Sequence, residues 1–97
     1  MNDAAGEFDS DINRELRIEA ICERYEEAWR SGRRPEIAAC LEEIEAPGRS
    51  ELVQELVTCE LQWRRQQGEA PRVEEYTVAL REYATQVKAA FGRSRTI

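Results

Sequence analysis

Gly32-Arg33-Arg34-Pro35-Glu36-Ile37 returns 36 residues later as Gly68-Glu69-Ala70-Pro71-Arg72-Val73. The shared pattern is G-x-x-P-x-[I/V], and it decides the fold. Glycine readily takes the left-handed conformation that ends a helix, two polar residues turn the chain, and proline suits the first position of a new helix because its missing N–H costs nothing there. Each copy therefore predicts a long helix, a tight turn and a short antiparallel partner, an αα-hairpin used twice. The match extends outward: Tyr25 pairs with Leu61, Cys40 with Tyr76 and Ile44 with Leu80. A period of 36 lies near the ~34 residues of tetratricopeptide arrays, whose markers are spaced differently, and two copies are too few for a solenoid.

The flanking sequence fills in the helices. Ile12, Leu16, Ile18, Ile21, Cys22, Tyr25, Ala28 and Trp29 recur at three- and four-residue steps, the mark of an amphipathic helix. Ser10 or Asp9 caps it near Asp11, and Ser31-Gly32 ends it. A second helix is expected from Pro35 through Ile37, Leu41 and Ile44, stopping before Ala46-Pro47-Gly48, read as a breaker. A third, from Arg49 to Gln67, carries two apolar stripes. One is Leu52, Leu56, Cys59 and Trp63; the other is Val53, Val57 and Leu61. Covered on more than one side, it is the central helix of the bundle, with burial across a homodimer interface as the alternative. Pro71 opens a short helix with Val73, Tyr76 and Leu80, and a last helix carries Tyr83, Val87, Ala90 and Phe91. No Gly or Pro separates Leu80 from Tyr83, so one helix or two remains open.

The expected fold is all-α, a compact bundle of about five helices built from two αα-hairpins plus a closing helix. Residues 1–10 read as a disordered acidic tail, 11–91 as the helical domain and 92–97 as a basic tail or linker. Ninety-seven residues make one domain. An apolar fraction of 41% with 35% charged and only 7% aromatic residues fits solvated helices better than a turn-rich β fold.

Charge is uneven. The net value is −6, but Met1–Glu60 is strongly acidic and Leu61–Ile97 mildly basic. An acidic front disfavours nucleic-acid binding, which needs clustered positive charge. No apolar run approaches the ~20 residues that span a bilayer, and Met1–Ser10 has no apolar core of a signal peptide. Membrane insertion is not expected. Cys22, Cys40 and Cys59 stand alone, without a CxxC pair or any histidine, so metal binding and a cofactor are not expected. They read as reduced thiols packing on apolar stripes in a cytoplasmic protein.

Catalytic patterns are missing too: no histidine, no Gly-rich phosphate loop, no G-x-S-x-G elbow. Glu42/Glu43 and Glu74/Glu75 are neighbours on helices and splay apart rather than converge. Two clusters are candidate phosphate- or peptide-binding patches: Trp29-Arg30 with Arg33-Arg34, and Trp63-Arg64-Arg65. Trp and Arg dominate interaction hot spots. The competing reading is a core tryptophan followed by arginines that complement the negative end of a helix dipole. Trp29, Arg33, Arg34, Arg64 and Arg65 are the candidate partner-binding residues.

The runs Tyr25-Glu26-Glu27-Ala28-Trp29-Arg30-Ser31-Gly32-Arg33-Arg34-Pro35 and Glu60-Leu61-Gln62-Trp63-Arg64-Arg65-Gln66-Gln67-Gly68-Glu69-Ala70-Pro71, with Glu74-Glu75-Tyr76, resemble the N-terminal region that precedes the kinase domain in many serine/threonine protein kinases of planctomycete bacteria. The likeness spans roughly Ile18 to Phe91. That family usually has a Phe-Pro break after the second short helix, where this chain has Leu80-Arg81. The resemblance implies a non-catalytic regulatory or docking module of a cytoplasmic, ATP-dependent kinase whose catalytic domain lies beyond Ile97. Its partner is expected to be another protein or its own kinase domain. A free-standing helical adaptor or homodimer is the alternative.

Overall fold

A computed structural model describes the backbone of residues 3–95 and the side chains of residues 12–93. The described residues form five α-helices and one short 3-10 turn, with no strand. Helix α1 spans Asp3–Arg30, α2 Ile37–Leu41, α3 Ala46–Gln66, α4 Val73–Ala79 and α5 Ala84–Arg95, with the 3-10 turn at Arg81–Tyr83 between the last two. The all-α bundle expected from the sequence is what forms.

Helix α3 is the centre. Leu52, Val53, Leu56, Val57 and Leu61 are all fully buried, so both of its stripes are covered within one chain, by α1, α2 and α5. From α1 come Ile18, Ile21, Tyr25 and Trp29; from α5 come Val87, Ala90 and Phe91. The homodimer alternative for α3's second stripe is therefore unnecessary. Trp63 is only partly buried at the edge of this core, against its expected place in the stripe, while Trp29 is the tryptophan of the interior. The three cysteines pack half-buried against the same core.

Both turns use one device. Gly32 and Gly68 have φ of 88° and 86°. In the first, the Gly32 N–H donates to the Trp29 carbonyl and the Arg33 N–H to the Ala28 carbonyl; in the second, Gly68 donates to Arg65 and Glu69 to Arg64. These paired bonds are the Schellman arrangement, which satisfies the last carbonyls of a helix. The next helices begin at Ile37 and Val73 after extended residues Glu36 and Arg72.

Several boundaries differ from expectation. Pro35 and Pro71 do not open α2 and α4; each precedes the capping residue. Proline's fixed φ fits an extended segment as well as a helix, and the first helical position goes to the apolar Ile37 or Val73. Ala46-Pro47-Gly48 does not break the chain between helices: it is the first turn of α3, with proline at its start, where an orphan N–H is lost without cost. Gly48 is needed there for space. A Cβ would approach Ile44 Cδ1 to 2.8 Å and Arg14 Cδ to 3.2 Å. Helix α2 stops at Leu41, and the buried Ile44 sits in the turn beyond it.

The chain is helical from Asp3 rather than Asp11. Ala4 and Ala5 favour helix. Likewise α5 runs through Gly92 to Arg95, leaving Met1, Asn2, Thr96 and Ile97 of the expected tails outside the described residues. Leu80 separates α4 from α5 with φ −122° and ψ 57°. Its side chain is buried, so packing breaks the helix where neither glycine nor proline does.

Candidate functional site

The two turns lie side by side at one end of the bundle. Arg34, in the first turn, ion-pairs with Glu69 of the second and donates to Gln67 Oε1 at 3.1 Å. Its guanidinium also covers the Trp29 ring, 5.1 Å from the centroid, a cation–π contact. Glu69 is shared: Arg64 Nε donates to its other oxygen at 2.7 Å. Arg64 Nη1 reaches Glu75 Oε1 at 2.9 Å and the Tyr76 hydroxyl at 3.0 Å.

From there the network turns inward. The Tyr76 hydroxyl donates to Glu60 Oε2, and the Tyr25 hydroxyl donates to Glu60 Oε1. Tyr25 comes from α1, Glu60 and Arg64 from α3, Tyr76 from α4. One set of polar side chains thus ties both hairpins together over the core.

Electrostatics keep the two phenols neutral and hold Arg64, Glu69 and Glu75 charged. Burial, and then the Glu60 charge, push the Tyr25 hydroxyl far above its ordinary range. Burial, and then its bond to Glu60, do the same for Tyr76, so both phenols stay donors. Burial works against the Arg64 charge, but the bonds to Tyr76, Glu69 and Glu75 outweigh it. Bonds from Arg34 and then Arg64 hold the Glu69 carboxyl below the usual range. Arg64 does the same for Glu75, whose other oxygen accepts the Arg72 N–H at 3.2 Å.

The five candidate residues are therefore divided. Trp29 is buried at 3% exposure, so the core reading of this tryptophan holds and it offers no open face to a partner. Arg34 and Arg64 are engaged by carboxylates of the same chain. Arg65 is exposed on the last turn of α3. Arg33 is exposed and makes no ion pair with a described residue. Glu60, Tyr25, Tyr76 and Glu69 are not among the candidate partner-binding residues read from the sequence. The available signal was the two tyrosines on apolar stripes, since a buried phenol needs a hydrogen-bond partner.

Other groups offer little reactivity. Burial and the Glu55 charge push the Cys22 thiol up to about 12; burial and Glu26 push Cys59 up to about 11; burial and Glu43 also raise Cys40. Such thiols are poor nucleophiles at neutral pH. Glu43 pairs with Arg24 and Glu75 with Arg64, so neither adjacent carboxylate pair converges. Among the described residues no group of three or more ligating side chains is placed to hold a metal ion, and no helix is long and apolar enough to cross a membrane. No family model matches the chain, and no curated protein or solved structure matches it either.

Proposed function

We propose that this chain is a non-catalytic interaction and regulatory domain, the N-terminal module of a cytoplasmic bacterial serine/threonine protein kinase, acting through docking or oligomerisation. The reading rests on where the residues that carry the resemblance lie. The Trp-Arg-x-Gly-Arg-Arg-Pro run, the Trp-Arg-Arg…Gly-x-x-Pro run and Glu74-Glu75-Tyr76 come together at one end of the bundle, joined by Arg34–Glu69 and Arg64–Glu75. An end face bearing exposed Arg33 and Arg65 suits a protein partner or the chain's own kinase domain, since Arg pairs well with carboxylate or phosphate groups.

The test compares a full-length kinase with a version lacking residues 1–91, assayed on a peptide and on co-purified proteins. Different targets, rates or oligomeric state support the proposal; identity in all three overturns it. The point substitution to use is Arg33→Glu, because reversing Arg34 or Arg64 also breaks the internal network. It is expected to weaken partner capture while leaving the helical circular-dichroism signal unchanged.

A free-standing homodimer draws on a different observation. Ile12 and Leu16, one turn apart on α1, are 42% and 59% exposed. Sedimentation of the wild type against Leu16→Glu separates this reading: a dimer that dissociates in the variant favours it.

A further inference from the structure

Between the two short helices runs a groove of about 420 Å³, within the roughly 300–1,000 Å³ typical of ligand sites. Pro35, Ile37 and Ala38 form one wall, Ala79 and Leu80 the other, and Glu60 of α3 lies between them. Among the described residues Arg64 is the only cation lining it, and both Glu69 and Glu75 already engage that guanidinium. Glu60 carries no ion pair of its own: Arg64, one turn further along α3, reaches it only through the Tyr76 hydroxyl that both bond. Glu60 is half-buried, each of its oxygens accepts one tyrosine O–H, and no Lys or Arg among the described residues pairs with it. Glu36 at the rim is likewise without a described cationic partner.

Two consequences follow from that charge arrangement. Glu36, Glu60 and Glu75 against the single Arg64 leave the lining net negative, which favours an incoming cation, whereas a phosphate or acidic segment meets repulsion. Each Glu60 oxygen also keeps one free lone-pair position, which matches the paired N–H groups of a guanidinium. The apolar walls complete the match, since an arginine's methylene stem packs against apolar surface while its head reaches the charge.

We propose that this groove captures an arginine side chain from an extended, apolar-flanked segment of a partner protein, with Glu60 as the residue that receives the guanidinium. The proposal rests on the docking reading above and adds a second contact to it: Arg33 and Arg65 lie outside the groove and serve the acidic contact, whereas the groove takes a basic segment, not an acidic or phosphorylated one. The sequence alone suggests the reverse, because it displays the arginines and conceals the carboxylates that neutralise them.

The experiment titrates the ¹⁵N-labelled chain with a capped Ala-Leu-Arg-Leu-Ala peptide. Parallel titrations use the same peptide with citrulline, glutamate or phosphoserine in place of arginine. Amide shifts are expected to concentrate at Ile37, Ala38, Ala79 and Leu80. Citrulline in the peptide, or Glu60→Gln in the protein, is expected to weaken binding at least tenfold. Glutamine still offers hydrogen bonds to both tyrosines. Should that variant not fold, Ala38→Trp, which fills the groove and leaves every carboxylate in the sequence, is expected to abolish the shifts. The proposal is overturned by no groove shifts at millimolar arginine peptide, by equal affinity after Glu60→Gln or Ala38→Trp, by preference for the phosphoserine peptide, or by self-association through the groove. Loss of the groove result alongside a clear effect of deleting residues 1–91 would sink only the arginine assignment. Loss of both would sink the docking reading as well.

Discussion

The two G-x-x-P turns share a backbone and differ in chemistry. Both place glycine at φ near 87° with the same pair of terminal hydrogen bonds, and both lead through an extended capping residue into a short helix. The first then uses Arg34 over Trp29, and its short helix spans Ile37–Leu41. The second uses Arg64 against Glu69, Glu75 and Tyr76, and its helix extends over Val73–Ala79. Repeated backbone requirements are written in the same residues twice. Side-chain duties are divided between the copies, and neither turn contains the whole network.

The largest test strikes what both copies share. Leu56 lies in the middle of α3 with no exposed surface. Leu56→Ala is expected to cost about 2–5 kcal/mol, the range for truncation of a packed core leucine. Because both hairpins close over α3, circular dichroism and tryptophan fluorescence should report one cooperative transition at a lower midpoint. Separate transitions for the two hairpins would break the shared-core account.

Next comes the element that distinguishes the second copy. Arg64 is partly buried and makes three charge-assisted bonds. Arg64→Ala is expected to cost about 2 kcal/mol, since each such bond contributes on the order of 1.5–3 kcal/mol before relaxation and solvent screening. Urea denaturation measures it. A change below about 0.5 kcal/mol, the range of an ordinary surface substitution, would mean the network carries no stability.

Helix number, the central place of α3 and both glycine turns were legible in the sequence. Each follows from periodicity or from a backbone need that only glycine meets easily. The boundaries at Pro35, Pro71 and Ala46 were misplaced because proline fits an extended segment and a helix start alike, so local sequence does not choose. The site was legible only as exposed arginines. Arg34 meets Glu69 and Tyr25 meets Glu60 at a separation of 35 residues each. No helical periodicity links residues that far apart; packing α1 and the first turn beside α3 and the second does. Once two hairpins of equal repeat length lie side by side, such cross-turn contacts are the natural ones.

The glycines sharpen the comparison further. A Cβ at Gly32 or Gly68 would meet nothing within 4 Å, so substitution costs only the backbone strain, about 1–2 kcal/mol. Gly32→Ala and Gly68→Ala should therefore lower stability by the same amount within error. Gly48→Ala has a different cause, overlap with Ile44, and is relieved by trimming that neighbour to Val. If the first two differ by more than about 1 kcal/mol, the turns are not energetically equivalent.

The smallest expected effect is a pH dependence confined to the second copy. Glu69 and Glu75 have carboxyls held below the ordinary value by Arg34 and Arg64. A folded-state pKa below the unfolded one means the unfolded chain binds protons first as pH falls. Their contribution is fully present above the unfolded glutamate value of about 4.3 and is lost as pH drops through the folded values. Thermal midpoints measured from pH 7 down to pH 3 should thus fall in the acid limb. A variant carrying Glu69→Gln and Glu75→Gln should start lower at pH 7 and fall less steeply below about pH 4.3, because those two groups no longer titrate. The same acid slope in both proteins would show that the ions joining the turns are screened by solvent and add nothing to the fold. A shallower slope in the variant would assign the acid sensitivity to the second turn, where Arg64 gathers the carboxylates, and not to the glycine backbone that both turns have in common.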